Sequence, residues 1–161
     1  MIGSQSSGKS SLIHAISGVP LPKAPGDACT RWEFSPLPFI HTDFCLTRRC
    51  SIECRLMQGE TWSCRVSIRR VPTPGLSEQS KEPFGDDITD KDLVERRVLQ
   101  AQLAVLNPSL PAETFLDSNI ASGDQTELSF SLSIICLEIT GPEYSDISFI
   151  DLPGTPPQLK M

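Results

Sequence analysis

The feature that most constrains this chain is an eight-residue run near its first residue, GSQSSGKS at positions 3–10. Gly3 and Gly8 allow backbone dihedrals that other residues rarely adopt, and they let the main chain approach a ligand closely. Successive N–H groups of such a loop, together with the N-terminus of a following helix, bind anions. The pattern predicts a phosphate-binding loop, and a flexible Gly/Ser-rich segment is the alternative.

The lysine and the hydroxyl residue that close this run have separate tasks in loops of this pattern. Lys9 reaches the β- and γ-phosphates of a nucleotide, and the Ser10 hydroxyl is placed to bind Mg²⁺. Residues 11–17 predict a short helix directly after the loop, which is the context that the pattern requires. The apolar side chains expected on one face of this helix are Leu12, Ile13 and Ile16.

A strand is expected in front of such a loop. Folds that carry the loop place a buried strand of about four to eight mostly apolar residues before it. Here only Met1 and Ile2 precede Gly3. We therefore expect the chain to begin inside a larger α/β domain.

Composition narrows the classes of function. The chain has 161 residues, enough for one domain with a sizeable core, and a formal net charge of −6. An acidic chain is repelled by a phosphate backbone, so nucleic acid is not an expected partner. The sequence shows no secretory leader and no apolar run of about eighteen residues. Its six cysteines form no C-x-x-C pair and no zinc pattern, so we expect reduced thiols in a cytosolic protein.

Alternation of apolar and polar residues predicts the strands. Residues 50–57 and 62–71 alternate on either side of a short polar link, which predicts an antiparallel hairpin. Residues 128–140 predict a long strand and residues 147–151 a short apolar strand. The intervening residues 72–88 are rich in Pro, Gly and acidic side chains and are interpreted as an exposed loop.

One longer helix is predicted between these strands, from Thr89 to about Leu106. The start resembles a capping box, with Asp92 in place of the usual Glu or Gln. Asn107-Pro108 ends the helix, because a residue before proline avoids the helical region. The predicted apolar stripe consists of Leu93, Val94, Val98, Ala101, Val105 and Leu106.

Three further positions fit a nucleotide site. Asp151 ends the short apolar strand, where nucleotide-binding folds place the carboxylate that holds Mg²⁺ directly or through water. Gly154 follows shortly after, and its N–H can meet a γ-phosphate because no side chain blocks the approach. Thr30 lies in a loop after the phosphate-binding run. In nucleotide switches a loop threonine closes over Mg²⁺ and the γ-phosphate.

Together these segments resemble the dynamin superfamily of large GTPases, most closely the fungal dynamin-like (Mx-like) proteins. The run at 3–11 is similar to that family's GxQSxGKSS loop, and SFIDLPG at 148–154 is similar to its second switch. The resemblance covers nearly the whole chain except residues 32–49 and 155–161. The other similar segments are Ala28 to Arg31, Trp62 to Val66, Pro83 to Gly85, Ile88 to Lys91, and Leu137 to Ile139 with Gly141-Pro142.

The resemblance implies a role for each site residue. Ser10 and Thr30 would bind Mg²⁺, with Asp151 reaching the ion through water. Gln5 and Thr30 would position the attacking water, and Ser6 would help to hold a monovalent cation that offsets charge as the γ-phosphate leaves. The catalytic set is Gln5, Ser6, Lys9, Thr30 and Gly154. The residues that would bind GTP are Gly3, Ser4, Gln5, Ser6, Ser7, Gly8, Lys9, Ser10, Ser11, Thr30, Asp151 and Gly154.

The resemblance also implies the fold, a P-loop NTPase three-layer arrangement of the α/β class in which helices flank a mixed sheet. Residues 1–161 would form the N-terminal part of a dynamin-type GTPase domain, without its first strand and without the Thr/Asn-Lys-x-Asp segment that reads guanine. Residues 32–49 predict an insertion, because joining Arg31 to Cys50 restores the family's pattern. We interpret the insertion as an unspliced intron, with a genuine loop as the alternative, and residues 155–161 raise the same question.

The leading functional hypothesis is GTP binding and Mg²⁺-dependent GTP hydrolysis by a dynamin-like protein that remodels membranes at full length. The alternatives are a fragment that binds nucleotide without turnover or is inactive, and an ATP-using P-loop protein. We expect the 161 residues alone to hydrolyse GTP poorly or not at all. The family pairs GTPase domains across the nucleotide face and reaches membranes or microtubules through parts absent here. The expected location is cytoplasmic, or peripheral to membranes.

Overall fold

The structure is a computed structural model that describes residues 9–22, 50–70, 80–116, 127–128 and 130–152. The predicted insertion at 32–49 and the segment 155–161 lie outside these residues. The helices are α1 (Lys9–Ser17) and α2 (Asp92–Leu106), and a 3₁₀ helix spans Ala112–Leu116. The strands are β1 (Ser51–Gln58), β2 (Ser63–Arg69), β3 (Lys81–Pro83), β4 (Ile134–Gly141) and β5 (Ile147–Asp151).

The five strands form one mixed sheet in the order β3-β2-β4-β1-β5. β1 and β4 run parallel, whereas the β1–β5, β2–β3 and β2–β4 pairs are antiparallel. A parallel pair needs a long crossover connection that usually contains a helix, and α2 lies on the connection between β1 and β4. The mixed sheet and the α/β class agree with the fold predicted from the sequence.

The predicted hairpin is wrong, because β4 lies between β1 and β2. Leu137 of β4 is opposite Cys54 of β1 on one side and opposite Val66 of β2 on the other. The link between β1 and β2 also turns towards β4, since the Gly59 N–H donates to the Gly141 carbonyl at 3.1 Å. Alternation identifies the buried face of a strand but not its neighbouring strands, so it could not reveal that β4 lies between β1 and β2.

The core lies on one face of the sheet, where α2 packs. Val94, Val98, Ala101, Val105 and Leu106 of α2 are buried as predicted, whereas Leu93 is exposed. The sheet residues in the same hydrophobic cluster are Ile52, Cys54, Leu56, Cys64, Val66, Ile68, Ile135, Leu137 and Ile139. These residues alternate along their strands, so a single face of the sheet supplies the core.

The opposite face of the sheet is charged. Arg69 forms an ion pair with Glu53, and the Lys81 ammonium lies 2.6 Å from the Glu138 carboxylate. Within the described parts of the chain, therefore, helices cover one face and ion pairs occupy the other, and the third layer implied by the resemblance is not seen. None of the helices described has the length and hydropathy of a membrane span.

Helix α2 begins later than predicted and is not closed by a capping box. The residue before its first turn, Lys91, makes no side-chain cap. Instead the Asp90 carboxylate accepts from the Asp92 N–H at 3.0 Å. Asp side chains readily bond to a backbone N–H two residues on, and this local bond competes with the capping box that Thr89 would form. The predicted end of the helix at Leu106 is confirmed.

Helix α1 turns a different face to the core from the one predicted. Ile13 and Ser17 are buried, whereas Leu12 and Ile16 are exposed. Successive residues are separated by about 100° around a helix, so Ile13 and Ser17 lie about 40° apart and define the buried side. The chain that follows α1 enters the core at once at Val19 and Leu21, and with Ile13 these residues set the orientation of the helix.

Strand β4 is shorter than the strand predicted at 128–140. Its ladders begin at Ile134, which is opposite Ser51 of β1 and Arg69 of β2. Residues 130–133 have no strand partner, and Phe130 and Leu132 are exposed. The loop predicted at 72–88 also contains the short strand β3, after which Phe84 and Ile88 are buried.

The four described cysteines are free thiols, in agreement with the prediction of reduced cysteines. Cys29 and Cys45 lie outside the described residues. Burial raises the pKa of the Cys50, Cys54 and Cys64 thiols to about 12. A thiol of this kind reacts slowly, because only the thiolate is nucleophilic.

Replacing Leu137 with Ala should lower the free energy of unfolding by about 2–5 kcal/mol, because it opens a cavity between three strands. The matched control is Leu132→Ala at a side chain that is 68% exposed, which should change stability by less than about 0.5 kcal/mol. Denaturant titration followed by circular dichroism measures both values. Equal effects of the two substitutions would contradict the central position of β4.

Cys50, Cys54 and Cys64 should resist alkylation by iodoacetamide at pH 8 in the native protein and react once it is denatured. With a pKa of about 12, the thiolate fraction of each at that pH is about one in ten thousand. Because these values lie above the ordinary 9.0, the unfolded chain releases protons first, and stability should fall as pH rises from 9 towards 12. Peptide mapping by mass spectrometry reports each cysteine separately. Rapid native labelling of all three would show that this core is open.

Candidate functional site

The phosphate-loop pattern leads directly into a helix, as the sequence predicted. Helix α1 spans Lys9–Ser17, so Lys9 and Ser10, the last two residues of the pattern, lie within it. The first N–H groups of an α-helix have no partner inside the helix and carry its positive dipole end. Only the backbone of Lys9, Ser10 and Ser11 is described. The remaining loop residues, Gly3, Ser4, Gln5, Ser6, Ser7 and Gly8, lie outside the described residues.

Asp151 is placed at the end of β5, where the sequence predicted it. It is opposite Ile52 of β1 and is only 7% exposed. Two apolar side chains of the same strand are exposed instead, since Ile147 is 46% and Ile150 is 40% exposed. The carboxylate is therefore the buried end of a largely exposed edge.

Strand β1 begins at this same end of the sheet, and the segment that contains Thr30 precedes β1 in the sequence. Thr30 and Gly154 lie outside the described residues. Cys50 is buried, and β1 begins at Ser51, one position from the Ile52–Asp151 pair. The start of β1, which follows this segment, and Asp151 therefore lie at the same end of the sheet.

The opposite end of β5 is tied to α1 by the chain's only tyrosine. The Tyr144 hydroxyl donates to the carbonyl of Ser17, the last residue of α1, at 2.7 Å. The Trp62 indole N–H donates to the same hydroxyl at 3.2 Å. Tyr144 is 8% exposed, so the bond to Ser17 is buried, and the bond from Trp62 is partly buried.

A second contact fixes the turn that carries Tyr144. The Lys91 ammonium lies 3.0 Å from the Glu143 carboxylate and 5.5 Å from the centre of the Trp62 ring. The hydrogen bond from Lys91 lowers the pKa of Glu143, so this carboxylate stays ionised at neutral pH. The turn is thereby joined to the start of α2 as well as to the end of α1.

Tyr144 was not identified from the sequence as a residue of interest. The bond to Ser17 joins residues 127 positions apart, and no local pattern reports such a contact. Two signals in the sequence did exist. Tyr144 is the single tyrosine of the chain, and it follows Gly141, whose missing side chain leaves room for an aromatic ring.

The donor chemistry at Asp151 suits a hard cation. Carboxylate and hydroxyl oxygens are the ligands that Mg²⁺ prefers, and it usually keeps several waters. No group of three or more His, Cys, Asp or Glu side chains that could hold a metal ion occurs among the described residues. The set predicted from the sequence is of another kind, with two hydroxyl groups and one carboxylate.

Comparison with known proteins adds a relationship by sequence. Interferon-induced GTP-binding protein Mx2 of Sus scrofa is 32% identical to this chain over 155 residues, which are 96% of the chain and 15% of that protein. The Mx2 protein of Homo sapiens is 30% identical over 156 residues, again 96% of the chain and 15% of that protein. The Mx1 protein of Rattus norvegicus is 29% identical over 157 residues, with shares of 96% and 16%.

The aligned region is a small part of these relatives, since the chain spans 15–16% of their length. No protein-family model matches the chain. The identity extends over nearly the whole chain and is not confined to the phosphate-loop pattern. The chain is therefore similar, over nearly its whole length, to proteins named interferon-induced GTP-binding protein Mx.

Proposed function

We propose that this chain binds GTP and takes part in Mg²⁺-dependent GTP hydrolysis as a segment of a dynamin-type GTPase domain. The observation that carries the proposal is helix α1 (Lys9–Ser17), which contains the last two residues of the phosphate-loop pattern. A helix at this place supplies the N-terminal end that phosphate binding requires. Burial of Asp151 at the end of β5 supports the same site.

The proposed roles are those that the resemblance implies for each residue. Lys9 and the loop N–H groups from Gly3 to Ser11 hold the β- and γ-phosphates. Ser10 and Thr30 bind Mg²⁺, and Asp151 holds a water of the ion. When bound, Mg²⁺ offsets the charge that develops on the phosphate oxygens.

Hydrolysis needs positioning more than acid–base chemistry. Gln5 and Thr30 orient the attacking water, and the Gly154 N–H meets the γ-phosphate. Ser6 holds a monovalent cation that offsets negative charge on the leaving phosphate, a task that an arginine performs in other nucleotide hydrolases.

The choice of guanine is proposed from the relatives, whose names describe them as GTP-binding. The fungal dynamin-like proteins are the subgroup that we propose, from the resemblance of the loop and the DLPG segment. Because the chain spans 15–16% of its relatives, pairing of GTPase domains and remodelling of membranes are proposed for the full-length protein in the cytoplasm.

Lys9→Ala should abolish binding of GTP·Mg²⁺, because it removes the charge that faces the β- and γ-phosphates. We expect the dissociation constant to rise by at least about a hundredfold. A fluorescent GTP analogue measures it in the full-length protein and in the 161-residue chain, with ATP as competitor. His14→Ala, an exposed substitution on the same helix, is the matched control and should bind as the parent does.

The outcomes of this experiment separate the candidate functions. Competition by ATP equal to that by GTP would replace the guanine proposal with an ATP-using protein. Binding without turnover in the full-length protein would favour a regulatory module. Unchanged binding in Lys9→Ala would contradict the phosphate site itself.

Asp151→Asn should weaken the Mg²⁺ dependence of nucleotide binding by about 10–100-fold, because a neutral amide holds a metal-bound water less strongly than a carboxylate does. Titration of Mg²⁺ at constant GTP measures the change, and binding in excess chelator should stay the same. Asp86→Asn replaces an exposed carboxylate distant from β5 and serves as the control. A loss of binding that is equal with and without Mg²⁺ would indicate damage to the fold.

A further inference from the structure

We propose that Tyr144 is a positioning residue for the nucleotide site, because its hydroxyl joins the base of the phosphate-loop helix to the base of the strand that carries Asp151. The inference rests on the proposed function and adds a residue to it. The described contacts of Tyr144 include those with Ser17, Trp62 and Gly141. It acts through α1 on one side and through β5 on the other.

The bond to Ser17 lies at a point where α1 is firmly held. The Ser17 carbonyl accepts from Tyr144 at 2.7 Å, and the Gly18 N–H closes the helix on His14 at 2.8 Å. Gly18 has a φ of +64°, the left-handed conformation that ends many helices at glycine. Val19 and Leu21 are then buried in the core. The base of α1 is thus fixed within a few residues.

Glycine at position 141 leaves room for the ring of Tyr144. A side chain at Gly141 would meet the Tyr144 ring at 3.0 Å and the Trp62 ring at 3.3 Å. The Trp62 indole N–H occupies the other side of the hydroxyl at 3.2 Å. The hydroxyl therefore accepts one bond and donates one, and its orientation is set from both sides.

Helix α1, which ends at Ser17, and strand β5, which begins shortly after Tyr144, have similar lengths. Helix α1 has 9 residues, which at about 1.5 Å per residue gives roughly 13 Å from Ser17 to Lys9. Strand β5 has 5 residues, which at about 3.3 Å per residue gives roughly 16 Å to Asp151. Their far ends carry the two parts of the proposed site, namely the start of the phosphate-binding helix and the Mg²⁺ carboxylate.

A small movement at the base is enlarged at the far end. Tilting a helix of this length by about 5° moves its first residue by roughly 1 Å. A misplacement of about 1 Å can cost about a hundredfold in a positioned reaction. Of the apolar side chains within α1, Ile13 is buried and Leu12 and Ile16 are exposed, so Ile13 and the base at Ser17 hold the helix against such a tilt. The bond at Ser17 is therefore placed where it controls alignment.

The test is Tyr144→Phe, which removes the hydroxyl and keeps the ring. We expect the dissociation constant for GTP·Mg²⁺ to rise by about tenfold. The matched control is Gln100→Ala, which removes a bond of the same kind, from the Gln100 amide to the Leu116 carbonyl at 3.2 Å, far along the chain from α1. Free energies of unfolding of both variants are measured in parallel.

A spectroscopic readout separates positioning from stability. In a Trp32→Phe background Trp62 is the only tryptophan, and it bonds directly to Tyr144. Binding of GTP·Mg²⁺ should change Trp62 emission in this parent and in the Gln100→Ala variant. The change should be absent in Tyr144→Phe at saturating nucleotide.

Each outcome decides something different. A parent that does not bind GTP overturns the proposed function and, with it, this inference. A parent that binds, together with Tyr144→Phe of equal affinity and intact Trp62 response, leaves the function standing and overturns the role of Tyr144. Equal weakening in Gln100→Ala would assign the effect to general destabilisation and would also overturn the role.

Discussion

The central position of β4 is the constraint on which the rest of the sheet depends. β4 pairs with both β1 and β2, which do not pair with each other. Its inward side chains Ile135, Leu137 and Ile139 are fully buried, and each contributes about 1.5–3 kcal/mol by burial. Because β1 and β4 are parallel, the chain must cross over between them, and α2 is placed on the core face by that crossover.

The two faces of the sheet contribute unequally to stability. One face carries the apolar cluster under α2, and the other carries partly exposed ion pairs such as Arg65–Asp87 and Lys81–Glu138. Water screens exposed pairs of this kind, so they keep the face soluble without holding the sheet together. The proposed site accordingly lies at the ends of elements and not on the charged face.

The sequence allowed the buried face of most elements to be predicted, but not their neighbours. The end of α2 at Leu106, the end of α1 at Ser17 and the bounds of β5 are all local features, and the structure has them where they were predicted. The hairpin of β1 and β2 was wrong because a strand distant in the chain inserts between them. Tyr144 was missed for the same reason, since its partner Ser17 lies at the other end of the described chain.

In strand β5 a charged side chain is buried while two apolar side chains are exposed, which is the inverse of the usual order. This inversion favours a functional reason for the sequence of the strand. Ile147 and Ile150 are exposed, whereas the Asp151 carboxylate is buried. Burying a carboxylate costs free energy unless bonds or a metal ion compensate, and exposing isoleucine forgoes hydrophobic stabilisation. A strand shaped by stability alone would place these residues the other way round. Departures of this kind are expected at functional sites. The buried carboxylate lies at the end of the sheet where β1 begins, and the role proposed for it in nucleotide binding is one such reason.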